Sequence, residues 1–199
     1  MKGSLKSALF VLQFEMFKFC PSCASKNISF SVNAFRCPDC GLLYYHNTAA
    51  ATGCIISVPD SDGEKIVFLV RGREPAAGKL DLPGGFIDPG EGAAEGLFRE
   101  LKEELNWSPQ VPQGAGLYDV FKLFASFPNN YLYKEINYNT CDLFFFVEAP
   151  GLKPEDLIIE RDEITEVQFI KPSEIDFDKI AFESIKRAVK TYIELKNTN

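Results

Sequence analysis

Three glutamates in the run Arg99-Glu100-Leu101-Lys102-Glu103-Glu104-Leu105 have the spacing of a metal site. On a helix turning about 100° per residue, Glu103 and Glu104 fall within about 60° on either side of Glu100. Leu97, Phe98, Leu101 and Leu105 gather on a separate stripe that predicts the buried side, while Glu95 and Lys102 point away. Gly96 and Ala93 share the acidic arc and are expected to leave open space above it. A solvated acidic face is the plain alternative. Against it, like charges four residues apart repel by about 0.2–0.5 kcal/mol. Anions in the last turn also oppose the helix dipole by about 0.3–1 kcal/mol each. A divalent cation reverses both penalties. Carboxylate oxygens with no His or Cys nearby suit Mg2+ or Mn2+ better than zinc, and such cations bridge carboxylates to substrate phosphates.

Cys20-Pro-Ser-Cys23 and Cys37-Pro-Asp-Cys40 form a second constellation, separated by residues 24–36. Two CxxC pairs at this separation read as a four-thiolate zinc site on a small ribbon, with each pair on a turn and a hairpin between them. Four thiolates complete a tetrahedron and leave no position for water, so this zinc is structural. About 30 residues bury too little apolar surface to fold alone, and bound metal supplies the missing folding free energy. Disulfides and redox dithiols are the alternatives. Cys54 and Cys141 lie in apolar, strand-like runs that suit small buried thiols. His46, the only histidine, reads as a linker residue rather than a ligand. Lys18, Lys26 and Arg36 are offset by Glu15 and Asp39, which argues against a nucleic-acid partner.

The run from Gly85 through Glu91 to Trp107 resembles the Nudix box. Asn106 stands where that family usually has Gly; it falls at the helix C-terminus, where Asn is the usual second choice for a left-handed backbone. The resemblance implies a hydrolase that cleaves a nucleoside diphosphate linked to another moiety, with Mg2+ or Mn2+ bound. It further implies Glu100, Glu103 and Glu104 as metal ligands, the Gly85 carbonyl as a further candidate, and Arg99 held by Glu91. For Arg99 a surface pair with Glu95 or Glu103 is the alternative. Family members often carry another acid on a loop before a late strand. Glu163, in Arg161-Asp162-Glu163-Ile164, is the candidate for that extra ligand or general base, with an exposed loop acid as its alternative.

A zinc ribbon before such a domain resembles the NADH pyrophosphatase-like branch. That branch carries an SQPWPFPxS-like signature, whereas this chain has Ser126-Phe127-Pro128-Asn129-Asn130-Tyr131. ADP-ribose, NAD(H) and nucleotide sugars therefore all stand as candidate substrates. Two further readings are a ligand-sensing or scaffold module without hydrolysis, and a hydrolase that its ribbon docks onto capped RNA. The intact box glutamates favour an enzyme.

The elements that must position these residues follow from periodicity. ATGCIISV (51–58) and KIVFLVRG (65–72) read as apolar strands joined by the turn residues PDSDG. GLYDVFKLFASF (116–127) and NYNTCDLFFFVEA (137–149) read as long strands with PNN as a loop, and EVQFI (166–170) as a short one. Residues 179–196 predict a closing helix with Phe182, Ile185, Val189 and Ile193 on its buried stripe. This α/β pattern predicts a mixed sheet covered by helices on both faces, and the resemblance makes it a Nudix α/β/α sandwich. The organisation expected is an extension at 1–15 whose native start could be Met16, a zinc ribbon at 16–47, and the hydrolase domain at 48–199.

Arg71, Arg73 and Lys79 precede the box loop and could meet diphosphate oxygens; a solvated strand edge is the alternative. Phe127, Tyr131 and Tyr133 could stack on a base, or pack in the core or its rim. The 199-residue chain carries a net charge of −7, so an anionic nucleotide gains no general attraction and depends on local cations and bound metal. A cytoplasmic protein with no membrane segment is expected, and it could form a homodimer.

Overall fold

The computed structural model describes residues 17–31, 33–134 and 136–198, so the expected extension and Met16 lie outside the described residues. The chain divides into two compact units: an N-terminal one reaching to Thr48, which takes in residues 134–137, and a larger one of residues 49–133 and 138–199.

In the N-terminal unit, β1 (Ser29–Phe30), β2 (Ala34–Arg36) and β3 (Leu43–Tyr45) form an antiparallel sheet in that order. Phe35 is buried and lies against Phe17 and Tyr44, with ring centroids 5.3 and 5.4 Å away. Each cysteine pair sits on a tight turn. The Ala24 N–H donates to the Cys20 carbonyl (2.8 Å) and the Gly41 N–H to the Cys37 carbonyl (2.9 Å), with Ala24 and Gly41 both left-handed. The two turns face each other and bring all four Sγ atoms within 4.8 Å of one another.

The larger unit is built on a six-stranded sheet. β4 (Ala49–Asp60), β5 (Gly63–Arg71), β6 (Leu80–Asp81), β7 (Lys122–Tyr133) and β8 (Ile136–Glu148) run in the order β6-β5-β4-β8-β7, and β9 (Ile164–Ile170) pairs with β5. The β4–β8 pair is parallel, in register from Ala49 opposite Thr140 to Ser57 opposite Glu148. Alternation along β4 serves two cores. Cys54, Ile56 and Val58 pack with Leu97, Leu101 and Leu105 of helix α1 (Ala93–Leu105), while Ile55 packs with Ala188, Val189 and Tyr192 on the opposite face. Between α1 and β7 runs a single turn of helix, α2 (Leu117–Val120), and the chain closes with α3 (Glu183–Thr198), which carries that opposite-face stripe. The expected mixed sheet with a helix on each face is present.

Two expectations are corrected. Residues 116–127 are not one strand: Gly116 opens α2, and the Asp119 carboxylate accepts from the Gly116 N–H (2.8 Å) before β7 begins. A short acidic side chain folded back on the preceding backbone favours a helical turn over extension. Pro128, Asn129 and Asn130 are not a loop either; they lie within β7, and the reversal comes at Lys134, where φ is +46°.

Asn106 ends α1 in the left-handed region at φ 48°, and its N–H donates to the Lys102 carbonyl (3.0 Å). Asn106→Gly is expected to leave thermal stability essentially unchanged. Asn106→Ala is expected to cost about 1 kcal/mol, read by denaturant titration.

Candidate functional site

The site begins with a loop that behaves as a strand. Along β4, the Cys54 N–H donates to the Pro83 carbonyl (2.8 Å) and the Thr52 N–H to the Gly85 carbonyl (2.8 Å), while the Ile87 N–H donates to the Ala50 carbonyl (3.1 Å). Such close seating needs glycine. Gly84 sits at φ +139°, and a Cβ there would meet the Thr52 carbonyl oxygen at 2.2 Å. At Gly85 a Cβ would meet the Glu100 carboxylate at 2.6 Å, so backbone and acid are in direct contact.

Helix α1 is clamped to this loop by Arg99. Its Nε and one terminal nitrogen reach both oxygens of Glu91 (2.8 and 3.1 Å), and that same nitrogen donates to the Phe86 carbonyl (3.0 Å). The other terminal nitrogen donates to Glu100 (2.8 Å) and Glu103 (2.9 Å). Arg99 thus makes both the loop bond and the helical pair with Glu103, and it makes none with Glu95, which instead accepts from the Gly92 N–H (2.7 Å). Contrary to the open space expected from its position on the arc, Gly96 leaves none above the acids. It is buried beneath the loop, where a Cβ would lie 3.1 Å from Glu91 and 3.6 Å from Ile87. Ala93 packs into the core below α1.

Glu100, Glu103 and Glu104 line one cleft of about 360 Å³. Glu104 accepts from the Gly84 N–H (2.8 Å). Burial holds its carboxyl well above the usual carboxylate range, and the neighbouring Asp81, Glu100 and Glu163 push the same way against that hydrogen bond. Burial also raises Glu100, opposed by the Arg99 guanidinium. Glu103 is exposed. Among the described residues, the four cysteines are the only group of three or more whose ligand atoms all lie within 4.8 Å of one another. The glutamates form a lining, with Arg99 between Glu100 and Glu103, rather than a compact cage.

The remaining candidates separate. Glu163 and Arg73 line the cleft and pair with each other. Arg71 lines it too, but its donors are committed: Nε to the Pro75 carbonyl (2.7 Å), one terminal nitrogen to half-buried Asp81, the other to Tyr131 (3.4 Å). Its guanidinium lies 5.1 Å from the centroid of the Phe182 ring. Tyr131 lines the cleft, in edge contact with Phe86. Lys79 and Phe127 do not line it. Lys79 donates to the Asp178 carbonyl (3.3 Å), and the Phe127 ring lies under Arg187 (4.0 Å) on the α3 side of the sheet. The Gly85 carbonyl accepts from the Thr52 N–H (2.8 Å) and, at longer range, from the Thr52 hydroxyl (3.4 Å), which can rotate away to free that lone pair.

Sequence reasoning passed over Asp81, Phe86 and Asp142, all cleft residues, and gave Phe182 to the buried stripe of the closing helix, whereas it precedes that helix and lines the cleft. Asp142 had a signal: an acid inside the apolar run CDLFFFV, sharing a strand face with Phe144 and Phe146, is buried at a cost and needs a reason.

The four thiols fit a tetrahedral metal. Cys20 and Cys40 lie 3.6 Å apart at sulfur, as do Cys23 and Cys37, against about 3.8 Å for the edge of a tetrahedral zinc–thiolate site. The cleft's all-oxygen donors fit a hard divalent cation, whose charge would offset the burial, and the neighbouring acids, that raise Glu100 and Glu104.

Comparison with known proteins is consistent with this geometry. The NUDIX domain model matches residues 48–191. An ADP-ribose pyrophosphatase of Methanocaldococcus jannaschii is 37% identical over 76 residues, covering 38% of this chain and 42% of that protein. The NAD-capped RNA hydrolase NudC of Stutzerimonas stutzeri is 27% identical over 97 residues, 48% of this chain and 33% of that protein. The chain thus spans less than half the length of either relative. Among solved structures, a NUDIX hydrolase from Nitrosomonas europaea superposes with a TM-score of 0.62 at 24% identity, covering 92% of this chain and 94% of that one. The NUDIX domain of Shewanella oneidensis NrtR, complexed with ADP ribose, gives 0.59 at 15% identity, over 79% and 92%. These likenesses share the fold described above, and the box residues converge on its cleft. With the domain model accounting for most of its length, the chain belongs to the NUDIX family.

Proposed function

We propose that the chain is a Mg2+- or Mn2+-dependent pyrophosphohydrolase that cleaves a nucleoside diphosphate linked to another moiety. The observation that carries this reading is the placing of Glu100, Glu103 and Glu104 on one cleft by a loop that hydrogen-bonds along β4. ADP-ribose is the first substrate to test, because the Methanocaldococcus relative is an ADP-ribose pyrophosphatase.

Glu100, Glu103 and Glu104 would hold the cation, with the Gly85 carbonyl as a further donor once the Thr52 hydroxyl turns from it. Bound there, a divalent cation lowers the pKa of a water, clamps phosphate oxygens and offsets developing charge. Arg99 and Glu91 fix the height of the loop above the acids, so Glu100 meets a set backbone position. Arg73, whose partner Glu163 is itself a cleft acid, can turn to a phosphate when Glu163 takes up a proton or a ligand. Glu163 is the proposed proton acceptor for the attacking water, and Tyr131 with Phe86 supplies an aromatic wall for a base. Arg71, neutralised by Asp81, shapes that wall instead of binding phosphate.

The four thiols are proposed to hold structural zinc. A second reading, in which the ribbon guides the enzyme to capped RNA, draws on the exposed rings of Phe19, Tyr44 and Tyr45 and on the NudC relative. Among the described residues no helix is long and apolar enough to cross a membrane.

Four outcomes are expected. Turnover with Mg2+ or Mn2+ should appear in a panel of ADP-ribose, NADH, NAD+, nucleotide sugars and NAD-capped RNA. Glu104→Gln should lower it by about 100-fold or more while the melting temperature holds, since the amide oxygen still accepts from Gly84; wild-type activity in that variant refutes the ligand assignment. Arg99→Lys cannot reproduce the two-pronged bond to Glu91, so a loss of both activity and stability is expected, the latter measured by thermal melting. Elemental analysis should find stoichiometric zinc in the intact chain and none in Cys37→Ser.

A further inference from the structure

Asp142, on β8, is a carboxylate that neither the cation lining nor the Arg99 clamp uses. It is 8% exposed and borders the cleft. One oxygen accepts from the Thr140 hydroxyl (2.6 Å) and the other from the Ser184 hydroxyl (2.7 Å). Among the described residues no Lys, Arg or His pairs with it, whereas its acidic neighbour Asp81 is paired with Arg71. A carboxylate accepts about four hydrogen bonds, and here two are made, both by neutral hydroxyls. A nearly buried acid with no counter-cation and spare acceptor capacity is costly unless something else donates to it. Tethering β8 to the start of α3 through Ser184 would not require a charged group, because a neutral side chain could accept that bond.

The cleft has two chemically different parts. The box glutamates and Glu163 suit cations and the phosphates they carry. Around Asp142 stand Thr140, Phe182 and Ile185, with Tyr131, Phe86 and the mutually neutralised Arg71–Asp81 pair on the same cleft: flat rings, hydroxyls, a closed ion pair and one acid without a counter-cation. An anionic phosphate is repelled there, whereas a planar group bearing N–H or O–H donors is accepted.

We infer that Asp142 is a specificity-determining residue that accepts a hydrogen bond from a neutral donor on the nucleoside half of the substrate. The inference rests on the pyrophosphohydrolase reading and assigns the opposite end of that cleft. Two groups on a nucleoside supply this chemistry, the exocyclic amine of the base and a ribose hydroxyl. Losing one hydrogen bond to a charged acceptor is worth about 10- to 100-fold in affinity.

The test uses the full chain with Mg2+ and measures binding by calorimetry to four probes: AMP, IMP, which replaces the amine with a carbonyl, and the 2′-deoxy and 3′-deoxy forms of AMP. The wild-type chain is expected to bind AMP about 10-fold or more tightly than at least one analogue. A deficit confined to IMP identifies the amine, and one confined to a deoxy form identifies that hydroxyl. Asp142→Asn is expected to abolish the preference and, if the amine is the donor, to reverse it, because an amide N–H now faces the inosine carbonyl. Ser184→Ala removes the tether while keeping the carboxylate, so the preference should survive; a merely structural Asp142 predicts that the two variants behave alike. Equal binding of all four probes, no binding of any, or an unchanged preference in a folded Asp142→Asn variant overturns the inference. A chain that discriminates among the probes as described yet hydrolyses nothing in the substrate panel leaves this assignment standing and refutes the hydrolase reading alone.

Discussion

The five hydrogen bonds of Arg99 are the interaction on which the rest of the site depends. Loop and helix contribute the acids and the backbone between which a cation would sit, and Arg99 bonds to both. A guanidinium has the planar, multiply donating shape to join a carboxylate, a carbonyl and two further carboxylates at once. It also supplies positive charge where Glu100 and Glu103 would otherwise repel each other. The helix tolerates its acids because a neighbouring residue on the same helix answers them.

Below this clamp, the sheet divides labour by alternation. The even-numbered β4 residues Cys54, Ile56 and Val58 anchor α1, while Ile55 faces α3. The cleft, lined from several strands including the central β4 and β8, can therefore be polar without weakening either core. Asp81 and Asp142 sit at the margins of those cores, where a charge is costly but a hydrogen bond to it is strong.

Much of this was legible in the chain. The apolar stripe of α1, the parting of acids from leucines, and the left-handed end at Asn106 are local properties, and each took the form its residues predict. The paired cysteines were equally readable, because four thiols at that separation have few other uses. Long-range placement was less so. That Gly96 lies beneath Glu91, that Arg71 is consumed by Asp81, and that Phe127 turns toward Arg187 all depend on which strand lies beside which. Period-two patterning shows that Pro128-Asn129-Asn130 is polar, and turn propensity then argues for a loop, yet pairing within the sheet extends β7 through it. Asp142 was visible as an oddity, but its meaning comes from Ser184, 42 residues further along.

The seating of residues 83–87 along β4 has a consequence for how this fold can vary. That edge of β4 is shared: β5 pairs with Ser57–Asp60, and the loop takes Ala50, Thr52 and Cys54. The loop thereby closes an edge that would otherwise offer unpaired N–H and C=O groups to a neighbouring molecule, so it guards against aggregation while it carries the site. It also inherits a strand's sense of length. Inserting one residue between Leu82 and Gly85 would slide the ladder by about 3.3 Å and turn every side chain beyond it to the other face. Homologous chains should therefore tolerate length changes freely in the stretch between Arg71 and Lys79, and hardly at all between Leu82 and Ile87.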